Sequence, residues 1–141
     1  MHVGLAGSGA EFGAMAPETP KDPRYDIHLE DKFGALQRID IPAEAAKHQP
    51  WFNETLTTVN DSVVRLGVLQ GEFHWHRHEQ EDEFFLVLDG TLLLDVEGHG
   101  TITLERHCGY TVPRGVVHRT RAPERAEVLM VEKKSVVPTG D

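Results

Sequence analysis

The sequence predicts an all-β domain, a sandwich or barrel of short strands, and three observations carry that reading. From residue 55 onward the chain is a series of short runs rich in β-branched, aromatic and leucine residues ("EFFLVLDG", "TLLLDVEGHG", "TITL", "YTVPRG", "VVHRTR", "AEVLMVEK"), separated by Gly, Asn-Asp, Asp-Gly or Pro. No long stretch with helical periodicity interrupts the series. Finally, 141 residues with 39% hydrophobic and 26% charged content is the size and composition of one domain around one core.

The elements follow in chain order. Residues 1–24, "MHVGLAGSGAEFGAMAPETPKDPR", are rich in Gly, Ala and Pro without periodicity and read as a flexible leader. Met15 offers a second start, so residues 1–14 are a candidate expression-vector remnant, set aside from fold reasoning. Residues 25–54 form an irregular N-terminal extension, in which "EAAKHQPWF" holds at most a short helix stopped by Pro50. The β-domain occupies 55–135, followed by a tail over 136–141. "TLTTVNDSVVRLGVLQG" reads as strands either side of Asn60-Asp61, and "EGHG" at 97–100 as another turn. Asp89-Gly90 between two apolar runs carries a strong hairpin signal, because the favoured two-residue turn needs positive φ at both centres. The strands are expected to pair antiparallel as sequence neighbours.

Charge and composition exclude several function classes. The formal charge is -9, with 23 acids against 14 bases, and the longest basic run is Lys133-Lys134, a poor basis for binding nucleic acid. The single cysteine, Cys108, rules out an intramolecular disulfide and cysteine-rich zinc sites, and fits a reducing compartment. No apolar run approaches the ~20 residues of a spanning helix, and the start lacks the pattern of a secretory signal. A soluble cytoplasmic protein with no membrane partner is expected.

The chemistry concentrates in "GEFHWHRHEQEDEFFLVLDG", residues 71–90, where His74, His76 and His78 recur at a spacing of two. On a strand that spacing projects the rings to one side. Glu83 abuts the apolar run that follows, where a buried carboxylate needs a cation or a proton. Further on, "VPRGVVHRTRA" places His118 inside a β-like run, and a returning strand would bring it beside His76 and His78. Three neutral imidazoles and one carboxylate suit a borderline divalent metal.

These residues resemble the two signatures of the cupins. In the first, His76-Arg77-His78 gives H-x-H, four residues lead to Glu83, and six more lead to Gly90. In the second, P-x-G-x-x-H, the matching positions are Pro113, Gly115 and His118. The likeness covers roughly residues 55–132. It implies an antiparallel jelly-roll β-barrel, often a homodimer, holding one divalent transition metal per chain (Fe, Mn, Ni, Co or Zn) through His76, His78, Glu83 and His118. The alternative register starting at His74 fails, because after six residues following Glu81 stands Leu88 instead of Gly. Two positions depart from the pattern: His107 stands where a Gly usually precedes the second signature, and Ala122 where an Asn often follows it.

Around this set, His74 reads as pocket lining ahead of ligation, and Tyr110 as either pocket lining or core. Phe73 and Trp75 are expected to face away from the histidines, Arg65 to form a surface ion pair, and His48 and His99 to be solvated. The resemblance implies a metal-dependent enzyme acting on a small oxygen-containing molecule, of oxygenase or isomerase type. The alternative is a noncatalytic metal- or metabolite-binding barrel, since fold alone does not supply a reaction.

Overall fold

The computed structural model describes residues 25–141, so the leader expected over 1–24 lies outside the described residues. In chain order the described elements are β1 (Asp26–His28), α1 (Ile41–Ala45), β2 (Phe52–Val59), β3 (Ser62–Glu72), β4 (Glu83–Asp89), β5 (Leu92–Val96), β6 (Gly100–Leu104), β7 (Gly109–Val112) and β8 (His118–Lys133). They form an antiparallel jelly-roll barrel with an irregular N-terminal extension.

The long strand β8 organises the barrel. Its second half lies between β3 and β4, with Leu66 opposite Leu129 on one side and Leu86 opposite Leu129 on the other. Its first half pairs instead with β5, Val96 opposite His118, and with the end of β3, Glu72 opposite Arg121. The strand thereby passes from one layer to the other, and register shifts between Leu69 and Gly71 and between Val87 and Asp89 accompany the bend. The two sequence runs "VVHRTR" and "AEVLMVEK" are thus one continuous strand.

Alternation fixes which side chains enter the barrel. On β4, Glu83, Phe85 and Val87 are buried while Phe84, Leu86 and Leu88 are half-buried. Their inward row joins Leu92, Leu94, Val96, Leu104, Val112, Val128 and Met130 in the main core. Full burial of each such side chain contributes about 1.5–3 kcal/mol. A second cluster, Ala45, Phe52, Leu56, Leu66 and Val68, lies where α1 covers the outer face of β2 and β3. Strand β2 is consequently buried on both faces from Phe52 to Leu56.

Several expectations need correction. Strand β4 does not pair with β5 across Asp89-Gly90; it pairs with β7 and β8, while β5 pairs with β6 and β8. Gly90 does take the positive φ that the dipeptide signals, +84°, and a Cβ there would lie 2.7 Å from the Arg125 carbonyl oxygen, so the pair makes a tight corner between layers. Only β2–β3 and β5–β6 join as sequence-adjacent hairpins among the described elements, turning at Asn60 (φ 56°) and at Gly98 and Gly100. The extension adds β1, paired parallel to β2. The short helix starts earlier than "EAAKHQPWF", because Asp40 caps it, accepting from the Ala43 N–H at 3.0 Å, and Pro42 suits its first turn. His107 replaces the family's glycine at a φ of 71°, a left-handed conformation that His adopts more readily than most residues.

Candidate metal centre

The histidine segment is not a regular strand. β3 ends at Glu72, and beyond it His76 is held to His118 by an isolated antiparallel bridge, with N to O distances of 2.9 and 2.8 Å. The His78 carbonyl accepts from the Gly115 N–H at 2.8 Å, which ties the segment to the turn of the second signature. Gly115 has φ +79°, a conformation suited to glycine. Glu83 opens β4 and His118 opens β8, so both signatures deliver their last ligand-type residue to the start of a strand at the same end of the barrel.

There the structure brings together His76, His78, Glu83 and His118, with one donor atom from each lying within 4.8 Å of the others. Glu83 Oε1 stands 3.2 Å from His78 Nε2 and 3.3 Å from His118 Nε2. Local backbone aims two of the rings: His76 Nδ1 donates to the His74 carbonyl at 3.0 Å and His118 Nδ1 to the Val116 carbonyl at 2.9 Å. A carbonyl only accepts, so Nδ1 carries the proton and Nε2 is the atom left to face the cluster. His78 lies near Glu83 but off the hydrogen-bonding direction, and neither of its buried ring nitrogens has a hydrogen-bond partner.

The electrostatics match a cation site. Burial, together with the neighbouring His118 and His78, pushes His76 well below its ordinary value, which keeps it neutral as a ligand must be. Burial opposes a charge on Glu83, yet His118 and His78 hold its carboxyl well below the usual range. Burial also opposes a charge on His78, but the Glu83 carboxylate outweighs it and raises that imidazole. The shift marks the negative potential of Glu83 at this spot, which a cation would neutralise. Orphaned buried nitrogens, two aimed Nε2 atoms and an ionised carboxylate form an N3O donor set that fits a borderline divalent ion.

Beside the cluster lies a small open-mouthed cavity. Trp51, Phe73, Phe85 and Met130 supply apolar wall, and Asn53, Thr120 and Glu132 supply polar groups, with His76 and Glu83 among the lining. Phe73 corrects the expectation that it faces away: beyond the end of β3 regular alternation lapses, and its ring is buried 5.0 Å from that of His76. Trp75 does face outward, 48% exposed, with the Arg119 guanidinium 4.9 Å above its ring. His74 sits 5.4 Å from His76 ring to ring but binds the Thr139 carbonyl at 2.6 Å, under the C-terminal tail. Tyr110 packs against the main core.

Arg65 is the larger correction. It is buried, 3% exposed, with its guanidinium bonded to Thr55 and Asn53 and its Nε 3.6 Å from Glu132 Oε2. Glu132 pairs in register with Glu83 across β4 and β8. Burial and the adjacent Glu83 raise the Glu132 carboxyl well above its ordinary value, while the Arg65 guanidinium works in the opposite direction. Sequence reasoning passed over Glu132 and Asn53. A signal was present for the first: Glu132 falls in phase with Val128 and Met130, the inward row of β8.

Fold and site together define a jelly-roll barrel that gathers three imidazoles and a carboxylate at one end. The family model for the cupin domain matches residues 62–132, half of the chain, and the chain belongs to the cupin family. It is 44% identical over 82 residues to an uncharacterised protein of Bacillus subtilis (strain 168), YdbB, a span covering 58% of this chain and 73% of that one. Among solved structures it is similar to a cupin-2 domain containing protein from Shewanella frigidimarina, with a TM-score of 0.64 and 31% identity over 67% of this chain and 93% of that one. The hydroquinone 1,2-dioxygenase PnpCD, solved with Cd2+ and 4-hydroxybenzonitrile, has a TM-score of 0.60 at 18% identity, covering 72% of this chain and 74% of that one, which speaks for the fold alone. No helix among the described residues is long and apolar enough to cross a membrane.

Proposed function

We propose that this chain is a metal-dependent enzyme acting on a small oxygen-containing molecule, with His76, His78, Glu83 and His118 holding one divalent transition metal. The observation that carries the reading is the convergence of those four donors, two of which, His76 and Glu83, also line a cavity whose wall mixes apolar and polar side chains. Such mixed lining is typical of small-molecule sites. A bound divalent ion would polarise an oxygen of the substrate as a Lewis acid.

The chain's own residues would do the rest. Trp51, Phe73, Phe85 and Met130 would exclude water and take up the apolar part of the molecule. Asn53 and Thr120 would orient its polar part, and Glu132 lines the same cavity wall. Arg65 fixes Asn53 and Glu132 from behind.

The test offers protein loaded with Fe, Mn, Ni, Co or Zn a panel of catechols, diketones and hydroxy acids, while following dioxygen uptake and product formation. Turnover that disappears in His76→Ala and Glu83→Gln, with melting curves retained, supports the enzyme. Ligand-induced thermal shifts without turnover across the panel would replace it by the noncatalytic binding barrel.

A further inference from the structure

On the far side of β2 from the cavity, a second cluster of donors has no part in the site above. Strand β2 presents Phe52, Glu54 and Leu56 to the face covered by α1, so a carboxylate interrupts an apolar row. Glu54 is 4% exposed, and its buried Oε2 has no hydrogen-bond partner. Glu44, 2% exposed, comes down onto it from α1. His48, just past the helix, places Nε2 3.3 Å from Glu44 Oε2 and 4.0 Å from Glu54 Oε2. One donor atom from each of the three lies within 4.8 Å of the others.

Two buried carboxylates side by side repel, and are relieved either by one shared proton or by a cation between them. The nearby ammonium, Lys47, reaches Glu44 Oε1 at 3.3 Å from a position 63% exposed, too solvated to neutralise the pair. The two carboxyls split accordingly: the hydrogen bond with Glu54 holds Glu44 down at about 2, while burial and the adjacent Glu44 push Glu54 up to about 7, so a divalent ion here would take the place of a shared proton.

The donors are held in place by their surroundings. The Arg125 guanidinium donates at 2.8 Å to both the Ala45 and the His48 carbonyls, fixing the end of α1. The His48 ring stacks on Phe52, centroids 3.6 Å apart and planes 7° from parallel, which points Nε2 toward the carboxylates. An ion bound at about 2.0–2.2 Å by nitrogen and oxygen sets neighbouring ligand atoms roughly 3–3.6 Å apart. The observed 3.3 and 4.0 Å separations need only a small side-chain adjustment to meet that requirement.

We propose that Glu44, His48 and Glu54 form a second divalent-cation site that clasps helix α1 and its flanks onto the barrel. The imidazole nitrogen selects an ion of the zinc class over calcium or magnesium, which take oxygen ligands. Two carboxylates balance the ion's charge. The half-buried His48 leaves a path for a water as fourth ligand.

Zinc titration of the chelator-stripped full chain, followed by calorimetry and by amide hydrogen exchange, tests this without reference to activity. The His76→Ala/His78→Ala chain is expected to bind one equivalent of zinc, to melt at higher temperature with it, and to exchange more slowly over residues 40–48. The near-isosteric Glu54→Gln, added to that background, should weaken binding at least tenfold while leaving the melt in chelator intact. If the double alanine chain does not fold, the parent is compared with Glu54→Gln and His48→Gln alone, each of which should bind one equivalent fewer than the parent. That difference is read whether or not the barrel site itself takes zinc. Equal stoichiometry and affinity in parent and Glu54→Gln, or no zinc-dependent slowing over residues 40–48, would overturn the site.

Discussion

The buried ion pair behind the cavity offers a quantitative test. Arg65→Met keeps the apolar stem and removes the guanidinium, which bonds Thr55 and Asn53 and lies 3.6 Å from Glu132. Removing one partner of a buried pair costs about 3–5 kcal/mol, because the other charge stays buried and uncompensated. Here Glu132 already tends toward its neutral form, which relieves part of that cost. The expected loss therefore sits at the lower end, about 3 kcal/mol. For a chain of this size it corresponds to a fall in melting temperature of roughly 6–12 °C. Urea denaturation in chelator keeps ion binding out of the comparison. Adding Glu132→Gln should cost less in the Arg65→Met background than alone, with a coupling of about 0.5–3 kcal/mol. A loss below about 1 kcal/mol in Arg65→Met, or strict additivity in the double variant, would refute the claim that this pair braces the wall.

Two further perturbations test the scaffold. Gly90→Ala and Gly98→Ala both place a side chain at positive φ, a cost of about 1–2 kcal/mol each. At Gly90 the new Cβ would also meet the Arg125 carbonyl at 2.7 Å, whereas at Gly98 nothing lies within 4 Å. Denaturant titration should show Gly90→Ala as clearly the more damaging, and equal losses would contradict the tight corner. Asp95 is held well below the ordinary carboxylate range by Arg121, with Thr101 and Arg119 also bonded to it. Its contribution is present above its ordinary value of 3.8 and is lost as pH falls through the depressed folded value. Asp95→Asn should consequently destabilise most near neutrality, with the difference from the parent shrinking as the pH falls below 3.8. A difference that does not change with pH would show that the charge is not what stabilises.

The parts of this molecule legible in its sequence are those encoded locally. His76, His78, Glu83 and His118 were readable because two short signatures fix their spacing, and the turns at Asn60 and Gly98 because few residues adopt those backbones. Asp89-Gly90 misled for a related reason: a dipeptide reports the local turn but not which strands pair beyond it. The role of β8 as partner to β3, β4 and β5 rests on contacts far apart in sequence, which no local pattern displays. Arg65 looked like a surface charge, although its phase with Val63 on β3 pointed inward. Nothing in "FNETL" shows that α1 would cover Glu54, so the acid-rich cluster outside the barrel stayed hidden until the helix was placed.

The central claim is that His76, His78, Glu83 and His118 hold one metal ion, and elemental analysis tests it most directly. Protein purified without a histidine tag or nickel column is compared with the His76→Ala/His78→Ala variant, both in the Glu54→Gln background to silence the outer cluster. The account predicts about one equivalent of a transition metal in the chain that keeps both histidines and little in the variant that lacks them. Equal metal content in the two, or none in either after loading with Fe, Mn, Ni, Co and Zn, would contradict it.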